Sequence, residues 1–172
     1  MIFSYITRIA LSVIVFGIAI YQFIEGEIGN GIFLIILSLI VLVTVWFNEI
    51  ILFTFLSIRK GKFDKAARRL HIIKDPTLLI KSQEAYYYFL DGLILTNQSQ
   101  MGKADGMFKK ALNTGLAMKH DRAMAKLNLA AIAAGRRRKR EALNWLNQAK
   151  KDDDKKILSD QIKLLKQQMG RI

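Results

Sequence analysis

The chain has 172 residues, of which 27 are Lys or Arg and 14 are Asp or Glu, so its formal net charge is +13. It contains no cysteine, which excludes disulfides, thiolate metal sites and thiol nucleophiles. Its two histidines, His71 and His120, are 49 residues apart with no carboxylates clustered around them, which excludes a multi-histidine metal site.

Charge is distributed unevenly along the chain. Residues 1–58 contain one Arg and three Glu, whereas residues 59–172 contain 26 Lys or Arg and 11 Asp or Glu, a local balance of +15. A segment of 114 residues is close to the usual size of one domain. The sequence therefore predicts two parts, an apolar part over 1–58 and a basic domain over 59–172.

The first part contains two long apolar runs. The first covers residues 2–24, and the second covers 31–47 and resumes after Glu49 as far as Ile58. Residues 25–30, with the sequence EGEIGN, predict a tight turn between them. Because roughly 20 apolar residues cross a bilayer as a helix, the pattern predicts a transmembrane helical hairpin over 1–58.

The flanking charges predict the orientation of this hairpin. Arg59, Lys60 and Lys62 follow the second run, while the connecting turn contains two Glu and no cation. Positive charge remains on the cytoplasmic side, so both termini and the basic domain are expected in the cytosol. The prediction is an integral protein of a bacterial inner membrane, with the bilayer as a partner of residues 1–58.

Four sets of residues recur at a spacing of 38 in the second part. Within one copy, a small residue is followed after twelve positions by Ala, then by a bulky residue four on and an apolar residue three further. The last two spacings place the Ala, the bulky residue and the final apolar residue on one face of a helix. The sets are Thr54, Gly92 and Ala130; Ala66, Ala104 and Ala142; Leu70, Phe108 and Leu146; and Ile73, Ala111 and Ala149.

This pattern resembles the tetratricopeptide repeat, in which a small residue on a first helix faces Ala, Phe and Ala on a second. The resemblance covers about residues 47–150 and is best in the middle copy, with Gly92, Ala104, Phe108 and Ala111. The period is about four residues longer than that of the family, and the first-helix Trp and Tyr are mostly missing. The resemblance implies an all-α fold, in which a short solenoid of antiparallel helix pairs follows the hairpin.

The period also places elements at both ends of the array. The leading helix of the first copy falls at about 47–58, so we expect the second transmembrane helix to continue directly into it. The alternative is that the whole second apolar run forms one tilted transmembrane helix. After the third copy, we expect an amphipathic C-terminal helix that caps the last repeat. The alternative is that this helix lies on the surface of an anionic membrane. Its apolar face comprises Ile157, Leu158, Ile162, Leu164, Leu165 and Met169.

The resemblance implies that the first helices line a concave groove. An apolar, aromatic groove suits an amphipathic helix or an extended peptide. The alternative is that these side chains belong to the core or are covered by the chain's own C-terminal helix. Asp91, beside Gly92, is expected to face solvent. The candidate groove residues are Tyr86, Phe89, Leu93, Met124 and Leu127.

The densest charge run lies at residues 136–140, and it is a candidate basic surface. Anionic lipid, nucleic acid and an acidic protein are the possible partners, and a solvated turn without a partner is the alternative. The run consists of Arg136, Arg137, Arg138, Lys139 and Arg140.

Motifs of catalysis are missing from the sequence. It has no P-loop, no GxSxG, no HExxH and no paired carboxylates at an apolar helix spacing, so we expect no enzyme, no cofactor and no metal. The predicted function is a membrane-anchored adaptor that binds a protein or peptide. The alternatives are a small structural subunit of a larger membrane complex for secretion or transport, and a tether for nucleic acid or anionic lipid. Homo-oligomerisation is compatible with all three.

Overall fold

The structure, a computed structural model, describes residues 5–46 and 49–170, with side chains described over 10–41 and 49–170. The described residues form nine α-helices and a short 3-10 helix, with no β-strand, in agreement with the predicted all-α class. The helices are α1 (Tyr5–Ile24), α2 (Ile28–Trp46), α3 (Glu49–Arg59), α4 (Phe63–Leu70), the 3-10 helix (Pro76–Leu78), α5 (Lys81–Asn97), α6 (Met101–Thr114), α7 (Lys119–Gly135), α8 (Lys139–Asp152) and α9 (Ser159–Gly170).

The chain divides into two compact units, residues 1–52 and residues 53–172. In the first unit α1 packs against α2. The buried hydroxyls of Ser12 and Ser38 lie 3.2 Å apart, and each also donates to the backbone carbonyl of the other residue. A Cβ on Gly31 would lie 2.7 Å from the Phe23 ring. Small side chains therefore allow the two helices to approach closely.

Most of the large apolar side chains that the structure describes in α1 and α2 point away from this contact. Val13 is 65% exposed, Phe33 is 65% exposed and Ile24 is 79% exposed. The described parts of the two helices therefore carry much of their apolar surface outside their mutual contact.

The membrane predictions require correction. Over the residues that the structure describes, no helix combines the length and the apolar character that crossing a bilayer requires. A transmembrane helix needs roughly 20 consecutive, predominantly apolar residues. This finding contradicts the predicted transmembrane hairpin over 1–58 and the inner-membrane location.

The predicted passage from the second apolar run into the first repeat helix involves residues 47 and 48. These two residues lie outside the described residues.

The second unit is built from helix pairs. α5 packs along α6 and α7 along α8, while α4 contacts α5, α6 contacts α7, and α9 packs on α8 and α7. Arg69 of α4 links back to α3, because its guanidinium donates to the Ser57 hydroxyl at 2.9 Å and lies over the Phe53 ring. The unit is therefore a stack of consecutive helices closed by α9.

The spacing of 38 recurs in the helix bounds. α4, α6 and α8 begin at residues 63, 101 and 139, and α5 and α7 begin at 81 and 119 with 17 residues each. The turns before α4, α6 and α8 also share one geometry, in which a residue in the left-handed region follows the end of the first helix. These residues are Gly61, Ser99 and Arg137, with φ values of 70°, 60° and 58°.

Identical hydrogen bonds close the three turns. The amide that follows the left-handed residue donates to a carbonyl five residues earlier, from Lys62 to Ser57, from Gln100 to Leu95 and from Arg138 to Ala133. This bond satisfies a carbonyl that the end of an α-helix otherwise leaves free.

All ten residues that the repeat pattern assigns to a structural role are buried. Gly92 shows why the pattern requires a small residue, because a Cβ there would lie 2.7 Å from the Phe108 ring. The ten are Ala66, Leu70, Gly92, Ala104, Phe108, Ala111, Ala130, Ala142, Leu146 and Ala149.

Candidate binding surfaces

The structure places the five candidate groove residues in two environments. Tyr86, Leu93 and Met124 are half-buried, whereas Phe89 is 1% exposed and Leu127 is 8% exposed. In this conformation, Phe89 and Leu127 fill the interior and offer almost no surface to a partner.

The C-terminal helix covers the third-copy part of the candidate groove. Leu127 belongs to a buried cluster with Ile162 and Met169 of α9, and Met124 packs against the same cluster. The surface that remains available lies on α5.

Aromatic rings connect α3, α5 and α6. The ring centroid of Tyr86 lies 6.2 Å from that of Phe55 and 5.7 Å from that of Phe89, and Phe89 lies 6.3 Å from Phe108. Edge-to-face and tilted contacts at these distances add to the free energy of apolar burial. Phe55 and Tyr86 are half-buried, so the outer end of this series of rings is accessible.

Asp121 on α7 holds Tyr86 in place. The two side chains are hydrogen-bonded, and burial together with the charge of Asp121 raises the pKa of the Tyr86 hydroxyl far above its usual range. The Tyr86 hydroxyl is therefore neutral, and its partner lies 35 residues away in the chain. No sequence pattern indicated this contact, because an acidic residue in the first turn of a helix is common.

Asp91 does not face solvent as expected. It is 8% exposed, and burial raises the pKa of its carboxyl, an effect that the nearby His71 opposes. The His71 Nε2 atom lies 3.7 Å from the Asp91 carboxylate. Burial and the negative charge of Asp91 together raise the pKa of Tyr87.

Asp91 predicts a pH-dependent difference in stability. Because its pKa is higher in the folded state than in the unfolded state, its favourable contribution is present below the unfolded pKa of about 3.9 and is lost as the pH rises through the folded pKa. The free energy of unfolding of the wild type relative to Asp91→Asn should therefore fall between pH 3 and pH 7, as measured by urea unfolding. Asp75→Asn is the control of opposite sign, since bonds from Thr77 lower the pKa of Asp75. A difference that rises with pH for Asp91 would contradict this prediction.

The basic run is accessible throughout its length. All five residues of 136–140 are exposed. The Arg138 guanidinium lies 3.5 Å from Glu141 in the first turn of α8, and an Arg136 nitrogen lies 3.5 Å from the position of a Cβ on Gly102. The third turn therefore reaches across to the start of α6.

The three aspartates at 152–154 form ion pairs and hydrogen bonds within the chain. The Lys126 ammonium lies 2.7 Å from Asp152, and the Lys119 ammonium lies 2.5 Å from Asp154. The Asp153 carboxylate accepts bonds from the amides of Ile157 and Leu158. Among the described residues, no group of three or more His, Asp or Glu side chains could hold a metal ion.

Comparison with protein-family models, curated proteins and solved structures gave no match to this chain.

Proposed function

We propose that this chain is a protein-interaction adaptor, in which residues 53–172 form a tetratricopeptide-like array that binds a protein or peptide. The accessible surface of α5 around Tyr86 and Leu93, next to Phe55 of α3, is the proposed binding site. The chain binds its partner without transforming it.

One observation carries this proposal. Three turns spaced by 38 residues share a left-handed residue and the same hydrogen bond, and the small and bulky residues at the repeat positions are buried in each copy. Stacked helix pairs of this kind create extended surfaces that suit peptide and protein ligands.

A second candidate function rests on a different observation, the exposed apolar side chains of α1 and α2. A subunit that is built into a larger assembly through this hairpin would cover them. The two functions are compatible, because they use different units of the chain.

Photocrosslinking in cells tests the proposed site. With benzoylphenylalanine at position 93, on the half-buried face of α5, we expect one protein adduct of defined mass. The control is the same probe at Asn147, an exposed position on α8, where we expect no such adduct. Equal adducts at both positions, or none at position 93, would contradict the proposed site.

A further inference from the structure

We infer that one edge of the second unit binds the phosphate backbone of a nucleic acid without regard to base sequence. This edge, here called the turn edge, consists of the three turns that join the paired helices. Its residues are 59–62, 97–103 and 135–140.

Contacts between copies bring the second and third turns side by side. The Lys109 ammonium of α6 lies 3.0 Å from Asp105 of its own helix and 3.6 Å from Glu141, so side chains of α6 reach the first turn of α8. Arg136 also reaches the start of α6 at Gly102. The first turn has the same hydrogen-bond geometry and begins the same stack of pairs.

The turn edge carries positive charge only. It contains nine cations, three in the first turn, one in the second and five in the third, and no Asp or Glu. All nine are exposed. The connections at the opposite ends of the helices, residues 71–80, 114–119 and 152–158, contain four Lys and four Asp and therefore have no net charge. The positive charge of the unit is concentrated where the turns lie.

Helix polarity increases this positive potential. α4, α6 and α8 begin at the turn edge, and the residues before them are Lys62, Gln100 and Arg138, none of which makes a side-chain cap hydrogen bond. A cation at the positive end of a helix dipole is electrostatically unfavourable, and free amides there are donors for phosphate oxygens. A bound phosphate would satisfy both the amides and the cations.

Side-chain chemistry favours nucleic acid over an acidic protein. Protein interfaces concentrate aromatic and large apolar anchors at their centre, whereas Met101 is the only large exposed apolar side chain among the described residues of the turn edge. Nucleic-acid interfaces are polar and strongly positive. Five of the nine cations are Arg, whose guanidinium binds phosphate in a bidentate manner.

The test measures binding of the full-length protein to a fluorescein-labelled mixed-sequence duplex DNA of about 30 base pairs. Fluorescence anisotropy is followed over a series of NaCl concentrations, in a non-ionic detergent because the first unit exposes apolar side chains. Each phosphate contact contributes about −0.9 to the slope of log K against log salt. For the variant R136Q/R137Q/R138Q/R140Q we expect the slope to become shallower by about 3 and the affinity at 100 mM NaCl to fall at least about 100-fold.

The matched control is K155Q/K156Q/K163Q/K166Q, which removes the same charge from exposed positions in and before α9. We expect its slope to match that of the wild type. Three results would overturn the inference: a wild-type slope near zero, equal losses in the two quadruple variants, or binding to polyglutamate or phosphatidylserine vesicles but not to the duplex at the same salt concentration.

Discussion

Replacing Gly92 by Ala should lower the free energy of unfolding of the second unit by up to about 2 kcal/mol. The new Cβ would lie 2.7 Å from one carbon of the Phe108 ring and 2.8 Å from another. Phe108 is fully buried, so a shift of its ring would disturb the neighbouring side chains of the close-packed interior. Overpacking of this kind costs about 1–3 kcal/mol, more than the roughly 1 kcal/mol that Ala gains over Gly in a helix.

Urea unfolding followed by the fluorescence of Trp145, in a Trp46→Phe background, measures this effect in the second unit. The matched control is Gly106→Ala in α6, where nothing lies within 4 Å of the new Cβ. That variant should be more stable by up to about 1 kcal/mol. If Gly92→Ala is as stable as Gly106→Ala, the close approach of α5 and α6 is not what requires glycine.

A double variant tests the cause of this effect. The third copy has Ala130 and Leu146 where the second has Gly92 and Phe108. G92A/F108L reproduces the pair of the third copy, so it should be more stable than G92A alone. The coupling between the two substitutions should be at least about 1 kcal/mol, because the two residues are in direct contact. Additive effects would show that the two positions do not share one space.

The repeat could be predicted because its residues are constrained in pairs. Where α5 and α6 approach closely, a ring the size of Phe108 requires that Gly92 have no side chain. The small residue and the bulky residue are therefore found at a fixed distance from each other in the sequence. The same spacing could have located the turns. The left-handed residues at 61, 99 and 137 share it, but only the first is a glycine, so residue type does not mark the turns at Ser99 and Arg137.

The binding surface could be predicted less well. The first helix of each pair contacts both its own second helix and the neighbouring pairs, so apolar residues on several of its faces are buried. Periodicity alone therefore does not show that Phe89 is buried and Leu93 is partly accessible. Asp91 and Asp121 are buried polar residues whose partners, His71 and Tyr86, lie 20 and 35 residues away. Hydropathy also misled the prediction for residues 1–58, because counting apolar residues in a run does not establish a helix that crosses a bilayer.

Replacing Asp153 by Asn should destabilise the attachment of α9 by about 2 kcal/mol. One carboxylate oxygen of Asp153 accepts the amide of Ile157 at 3.0 Å, and the other accepts the amide of Leu158 at 2.9 Å. Asp153 is 7% exposed, so water cannot easily replace either bond. Hydrogen bonds to a charged group contribute about 1.5–3 kcal/mol each. Asn has one acceptor oxygen, so its NH₂ group would face an amide that also donates.

The expected result is local, because these two bonds fix the chain at the point where it turns from α8 into α9. Hydrogen exchange should become faster in Ser159–Gly170, whose Ile162 and Met169 are buried against α7 and α8. Asp154→Asn is the matched control, since Asp154 is exposed and its pair with Lys119 contributes at most about 1 kcal/mol. Equal exchange rates in α9 for the two variants would contradict this role of Asp153. Faster exchange in Asp153→Asn alone would show that a single buried carboxylate holds the C-terminal helix over Leu127. The third-copy part of the candidate groove would then be closed by the chain itself.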